Sequence, residues 1–229
     1  MHKIFRMLFI GASIAEVLRS FMEWDFEQYS KPLIILFLLA YYMSSGVAKN
    51  KSFWLISVSL LFSWFGDSFL MYQELDPMYF ILGLVSFLIA HVIYAISYFQ
   101  LRLSEADNPL LPTQKLRHSI TLVLAGVALV SILSPNLGDM RLPVTVYAAV
   151  LVFMAIAALL RYGYTPIRSF GLIFGGAVTF MISDSLLAIN KFLEPYAHAG
   201  FWVMLTYCIA QYLIIEGVIY HLRDTKKGA

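Results

Sequence analysis

Eight long apolar segments, separated by short polar or proline-containing breaks, occupy most of the 229-residue chain. Each segment is close to the ~20 residues that an α-helix needs to cross a bilayer. Because lipid offers the backbone no hydrogen-bond partners, each segment is expected to be a helix. The predicted segments are 4–22, 32–48, 53–72, 78–99, 119–134, 142–160, 168–189 and 200–221.

The scarcity of charged residues also indicates a membrane location. Only 13% of the residues are charged and 60% are hydrophobic, whereas soluble domains carry about 25% charged residues. We therefore predict an all-α integral membrane protein with eight transmembrane helices in a single domain, residues 1–229. The composition excludes a disordered chain, a nucleic-acid-binding protein and a disulfide-rich secreted module, and it leaves membrane lipids as the expected surroundings.

The distribution of basic residues predicts the orientation in the membrane. Eight spans place both termini on one side, and Lys and Arg concentrate in cytoplasmic loops. Of the 16 Lys and Arg residues, 12 fall on the side of the termini, and the other four are Arg19, Lys31, Arg141 and Lys191. The N- and C-termini are therefore predicted to be cytoplasmic, and the short tails favour a bacterial inner membrane.

A weak internal repeat relates the third and seventh segments. Both contain a small residue followed by Asp-Ser-x-Leu, at 66–70 and 183–187. The spacing predicts two parallel four-helix halves, 1–100 and 118–229, joined by a linker at 101–117. The alternative is chance similarity between apolar helices.

Four acidic residues and one histidine lie inside the predicted helices, where a charge costs several kcal/mol. They are Glu16, Asp67, His91, Asp184 and Glu216. At about 1.5 Å per residue, all except Glu216 fall at similar depths in the outer half of the membrane. We expect these four groups to meet in one layer. The alternatives are an ion pair between Glu16 and Arg19 and a purely structural hydrogen bond at His91.

Polar residues at helical spacing extend this layer into a predicted pocket. His91 and Tyr94 are neighbours at i,i+3, and Tyr207 and Gln211 are neighbours at i,i+4. Serine and glycine stripes lie on the third and seventh segments. Such stripes are also typical of helix-packing surfaces in membranes.

Four short motifs, in this order along the chain, resemble the YhhN-like membrane proteins, the lysoplasmalogenase family. They are Lys31-Pro32-Leu33, the block at 62–70, Gly83 with the block at 87–94, and the block at 183–192. The resemblance implies an eight-helix membrane enzyme. It implies hydrolysis of the vinyl ether bond of lysoplasmalogens, which releases a fatty aldehyde and a glycerophospho-ethanolamine or glycerophospho-choline.

The candidate site follows from the buried polar residues and this resemblance. Vinyl ether hydrolysis begins with protonation of an alkene carbon, and two carboxyl groups in different environments are a common acid–base pair. We predict Asp67, Asp184 and His91 as catalytic residues, with neither aspartate assigned as the acid. The predicted lysophospholipid-binding residues are Glu16, Lys31, Tyr94, Asn190, Lys191, Tyr207 and Gln211.

Several alternatives remain at this stage. For Lys31 and Lys191, which are expected to hold the lipid phosphate, the alternative is snorkelling at the interface. Intramembrane acids also suit a proton-coupled transporter, and the substrate could be another lysolipid. A metal-dependent hydrolase is less favoured because only one histidine lies near the acids. We predict no metal and no cofactor, and a non-catalytic scaffold is the remaining alternative.

Overall fold

A computed structural model describes residues 1–22, 24, 27–103 and 105–227, with the backbone alone at 27–29 and 225–227. Every predicted segment is helical, and no β-strand occurs in these ranges. Two short 3₁₀ helices, Ser134–Asn136 and Gly138–Met140, connect the fifth and sixth α-helices. The α-helices are α1 His2–Met22, α2 Glu27–Met43, α3 Lys51–Leu70, α4 Pro77–Gln100, α5 Pro112–Leu133, α6 Arg141–Leu159, α7 Ile167–Phe192 and α8 Ala199–Lys227.

The all-α class is therefore confirmed, and the described helices agree with a multi-pass membrane protein. Six of them, α3 to α8, are long and apolar enough to cross a bilayer. The described apolar part of α2 is shorter, at Ser30–Met43. The number of eight spans and the four-plus-four repeat remain predictions.

The helix ends coincide with the polar breaks in the sequence. Asn50 caps α3, because its side chain accepts a hydrogen bond of 2.9 Å from the Phe53 amide. Asp76 caps α4 in the same way, at 2.8 Å from the Met78 amide. Pro77 follows in the first turn, where N–H groups have no partner within the helix, so its missing N–H costs no helical hydrogen bond. These caps fix where the two helices that carry Asp67 and His91 begin.

Two predicted boundaries were wrong. Helix α2 begins at Glu27 and ends at Met43, although the predicted segment was 32–48, because Pro32 lies inside the helix and does not start it. Membrane helices tolerate interior proline when neighbouring groups satisfy the backbone. Helix α5 begins at Pro112, before the predicted start of that segment at residue 119, so residues 112–117 of the predicted linker 101–117 are helical, and its role in joining two halves remains a prediction.

Seven of the helices pack in a closed ring. Each helix contacts the next in the order α1, α2, α3, α4, α6, α7 and α8, and α8 packs back against α1. Helix α5 lies outside this ring, where it packs against α6 and α7, and Leu133 is its buried residue. The interior of the ring is therefore enclosed by helices from both ends of the chain.

Small residues bring neighbouring helices of the ring close together. A Cβ atom added at Gly66 of α3 would lie 2.5 Å from the ring of Phe87 on α4. A Cβ atom added at Gly176 of α7 would lie 2.9 Å from the Ala210 carbonyl oxygen of α8. These glycines let α3 meet α4, and α7 meet α8, at the level where the polar residues lie.

Candidate active site

Asp67 belongs to a chain of hydrogen bonds that joins three helices of the ring. The hydroxyl of Tyr207 on α8 donates to the Asp67 carboxylate at 2.6 Å. The Gln211 amide nitrogen lies 3.4 Å from the same hydroxyl oxygen, and Tyr94 on α4 donates to the Gln211 amide oxygen at 2.9 Å. All four side chains are buried. The structure thus brings together four of the predicted site residues.

Asp184 has a tyrosine partner of its own, which the sequence did not indicate. The hydroxyl of Tyr147 on α6 donates to the Asp184 carboxylate at 2.5 Å. Both residues line a cavity of about 60 Å³, whose other walls, apart from Ser185, are apolar side chains of α3 to α7. Tyr147 is nearly buried, whereas Asp184 is partly exposed. Of the two aspartates, Asp184 is therefore the one that lines this cavity.

A cluster of aromatic rings separates the two tyrosine–aspartate pairs. The ring of Phe180 lies 5.5 Å from that of Tyr207 and 4.7 Å from that of His91. The His91 ring in turn lies 5.5 Å from the Tyr147 ring.

His91 is fully buried, and neither of its ring nitrogens has a hydrogen-bond partner within the described part of the chain. The alternative of a structural hydrogen bond at His91 is thus not what the structure shows. A buried polar atom without a partner costs about 1–3 kcal/mol. The imidazole therefore has two nitrogens whose hydrogen-bonding capacity the described residues leave unused.

Glu16 takes part in an ion pair, as the alternative interpretation predicted. The Arg19 guanidinium donates to this carboxylate three times, from Nη2 to Oε1 at 2.8 Å and from Nε to Oε1 and Oε2 at 3.1 and 3.0 Å, and Ser30 donates another hydrogen bond. The predicted role of Glu16 in substrate binding remains a prediction.

Glu216 lies apart from this site, as its depth predicted. It accepts a hydrogen bond from the buried hydroxyl group of Tyr41 on α2. This third tyrosine–carboxylate pair resembles the pairs of Asp67 with Tyr207 and Asp184 with Tyr147 in its chemistry.

Lys191 lies beside the cavity that Asp184 lines. Its ammonium group is 3.5 Å from the Glu74 carboxylate and 5.4 Å from the centre of the Phe80 ring. Phe80 and Phe192 both line the cavity. Asn190 precedes Lys191 and is partly exposed. The charged Lys191 and the neighbouring Asn190 therefore lie next to the end of the cavity at Phe80 and Phe192, which we call the entrance.

The described ranges contain no group of three or more His, Cys, Asp or Glu side chains that could hold a metal ion together. What the interior does contain is two carboxyl groups, each with a tyrosine donor, and an imidazole without a partner between them. Such a set can donate a proton, stabilise a cation and hold a water molecule.

Comparison with known proteins identifies the relationship that these motifs suggest. The sequence profile of the YhhN family matches residues 26–218. The chain belongs to the YhhN family. The match contains every predicted site residue except Glu16, which lies in α1.

This YhhN protein is similar to curated animal proteins along most of its length. It is 36% identical to "Lysoplasmalogenase TMEM86A" of Bos taurus over 184 residues, which cover 78% of this chain and 70% of the relative. It is 34% identical to the Homo sapiens protein of the same name, with the same two coverages. It is 31% identical to "Lysoplasmalogenase TMEM86B" of Homo sapiens over 70% of this chain and 61% of the relative. No solved structure matches the chain significantly.

Proposed function

We propose that this YhhN protein is a membrane-embedded hydrolase that cleaves the vinyl ether bond of lysoplasmalogens. Its relatives carry the name lysoplasmalogenase. The single observation that carries the chemical proposal is the pair of tyrosine–aspartate contacts on the two sides of His91 and Phe180. Hydrolysis of this bond needs a proton donor and a stabilised cation, and the two carboxyl groups can supply one function each.

In the proposed first step, Asp184 protonates the alkene carbon that is not bonded to oxygen. The π electrons form the new C–H bond, and the adjacent carbon and oxygen share the positive charge as an oxocarbenium ion. Asp184 is assigned this role because it lines the cavity and a substrate could reach it there. The Asp67 carboxylate, which Tyr207 holds, stabilises the cation through its negative charge.

In the second step, water adds to the oxocarbenium carbon and returns one proton to the Asp184 carboxylate. His91 is proposed to hold this water, because its buried nitrogens have no partner in the described structure. The resulting hemiacetal then breaks its bond to the glycerol oxygen, which takes up the hydroxyl proton. One water is consumed, and the products are a fatty aldehyde and a glycerophospho-alcohol.

The lipid headgroup is proposed to bind at the entrance beside Lys191 and Asn190. The ammonium group of Lys191 is partly exposed and pairs with an exposed Glu74, so a phosphate could replace that surface pair. Lys31 is proposed as a second cation for the same phosphate. Replacing both lysines by Gln is expected to raise KM for the lysophospholipid, and an unchanged KM would leave them as interface residues only.

The direct test uses purified protein, lysoplasmenylethanolamine and D₂O. We expect fatty aldehyde with one deuterium on the carbon next to the carbonyl, because the proton adds to carbon in the first step. Lysolipids with ester and saturated ether bonds are tested in parallel by mass spectrometry. Fatty acid release from the ester alone would indicate a different lysolipid hydrolase. Proton-coupled flux in liposomes without hydrolysis would indicate a transporter.

The two aspartates are tested with isosteric variants. Asp184→Asn removes the proton donor and Asp67→Asn removes the negative charge, so each is expected to reduce aldehyde release by at least 10²-fold, the low end of general acid–base and electrostatic contributions. Glu216→Gln is the matched control, since it also neutralises a carboxylate that accepts from a tyrosine. Near-normal aldehyde release by either aspartate variant would remove that residue from the mechanism.

We also propose that both termini face the cytoplasm, which follows from the distribution of Lys and Arg. The Asp184 cavity then opens in the outer half of the membrane. Labelling of single cysteines introduced into the 101–111 and 193–198 connections of intact cells tests this orientation, since the two connections are expected on opposite sides.

A further inference from the structure

An apolar groove runs along the outside of the ring, between α5 and α6. Its volume is about 370 Å³, and it is open to the surface that faces lipid. On α6 it extends from Thr145 to Ile156, which corresponds to about 16 Å of helix. That length is close to half of the ~30 Å hydrocarbon core, the depth of one lipid leaflet.

The groove adjoins the cavity at Asp184. Val130 of α5 and Ala148 of α6 line both the groove and the cavity. We call this shared position, defined by Val130 and Ala148, the neck. Apolar residues therefore line the groove up to the neck, and Asp184 and Tyr147 line the cavity on its other side.

The groove results from the position of α5. Because α5 lies outside the ring, its contact with α6 does not enclose a polar interior and leaves an open groove. Gly126 allows the close approach, since a Cβ atom there would lie 2.6 Å from a methyl group of Val152. Apart from Ser131 and Thr145, the groove residues are apolar, as a hydrocarbon chain requires.

We propose that the groove between α5 and α6 binds the single hydrocarbon chain of the lysolipid, which enters from the bilayer and passes the neck to place its vinyl ether at Asp184. This inference rests on the proposed function and adds the chain-binding site. The headgroup remains at the Lys191 end, beyond Phe80 and Phe192, and the chain end lies towards Val123 and Ile156.

The first test fills the groove with Ala149→Phe, at a residue that lines the groove but not the Asp184 cavity, and compares two substrates. We expect kcat/KM for a lysoplasmalogen with a 16-carbon chain to fall at least tenfold. We expect less than a twofold change for a four-carbon analogue, because its chain ends before the neck. Ala128→Phe is the matched control, since it makes the same change at an exposed position of α5 that lines neither the groove nor the cavity.

The second test uses the unmodified protein and so does not depend on the folding of a variant. A 16-carbon lysoplasmalogen with a diazirine at the chain end is photolysed in nanodiscs, and the labelled peptides are identified by mass spectrometry. Label in 123–130 and 145–156 is expected. Label confined to α1 and α8, where another apolar groove lies, or crosslinks between two copies through α5, would overturn the proposal.

The two proposals fail in different ways. If the wild-type protein releases no aldehyde, the proposed hydrolysis is wrong, whereas the photolabelling pattern still reports where a lysolipid chain binds. If the wild-type protein releases aldehyde and Ala149→Phe affects both substrates equally, the chain-binding proposal alone is wrong.

Discussion

Tyr207→Phe isolates the contribution of one hydrogen bond to the candidate site. The substitution removes the hydroxyl that donates to Asp67 at 2.6 Å and keeps the aromatic ring that packs against Phe180 at 5.5 Å. A hydrogen bond to a charged group contributes about 1.5–3 kcal/mol. If Asp67 stabilises the oxocarbenium ion, loss of this bond lowers kcat by about 10- to 150-fold, at ~1.36 kcal/mol for each factor of ten.

The assay measures aldehyde release over a range of lysoplasmalogen concentrations, together with unfolding in the same detergent. We expect KM to change little, because Tyr207 does not line the cavity or the groove. Tyr41→Phe is the control, since it removes the hydroxyl group of the buried Tyr41, which donates to the partly exposed Glu216. The two variants should lose similar stability, but Tyr41→Phe should retain its kcat. Equal kcat values for both variants and the wild type would refute a catalytic role for the Asp67–Tyr207 contact.

Two further predictions concern packing and charge. Gly66→Ala is expected to lower the free energy of unfolding by about 1–3 kcal/mol, because the new methyl group overlaps Phe87; Gly175→Ala, which has open space around its Cβ, is expected to be neutral or to stabilise by up to ~1 kcal/mol. Equal melting temperatures of the two variants would contradict the close approach of α3 and α4. Glu16→Gln is expected to destabilise the protein by an amount approaching the ~3–5 kcal/mol of a broken buried pair, because it leaves the Arg19 guanidinium without its carboxylate. The double variant that also carries Arg19→Gln should recover part of that loss in thermal unfolding. If it is no more stable than Glu16→Gln, Glu16 does not stabilise the protein through this ion pair.

The helices could be predicted because lipid leaves an apolar segment few structural options. Depth along a helix was also informative, since it separated Glu216 from the other acids and placed Asp67, His91 and Asp184 close to one another. Spacing identified the contact of Tyr207 with Gln211, which are one turn apart on α8. These predictions depend on local geometry, which a single sequence contains.

Contacts between distant helices could not be predicted in the same way. Asp67 and Tyr207 are 140 positions apart, and their contact depends on the closure of the ring by α8. Tyr147 was missed because it is one of 14 tyrosines and has no polar neighbour one turn away that would mark its face of α6. The start of α2 was misplaced because Pro32 was interpreted as a helix start and is an interior residue.

The closure of the ring through α1 and α8 has a consequence for biosynthesis. Helix α1 is synthesised before the other seven described helices and α8 after them, so the ring closes only after α8 has been inserted. Until then, Asp67 lacks the hydrogen bond from Tyr207 and the aromatic cluster lacks the Tyr207 ring. The candidate site is thus assembled only when α8 packs against α1 and α7.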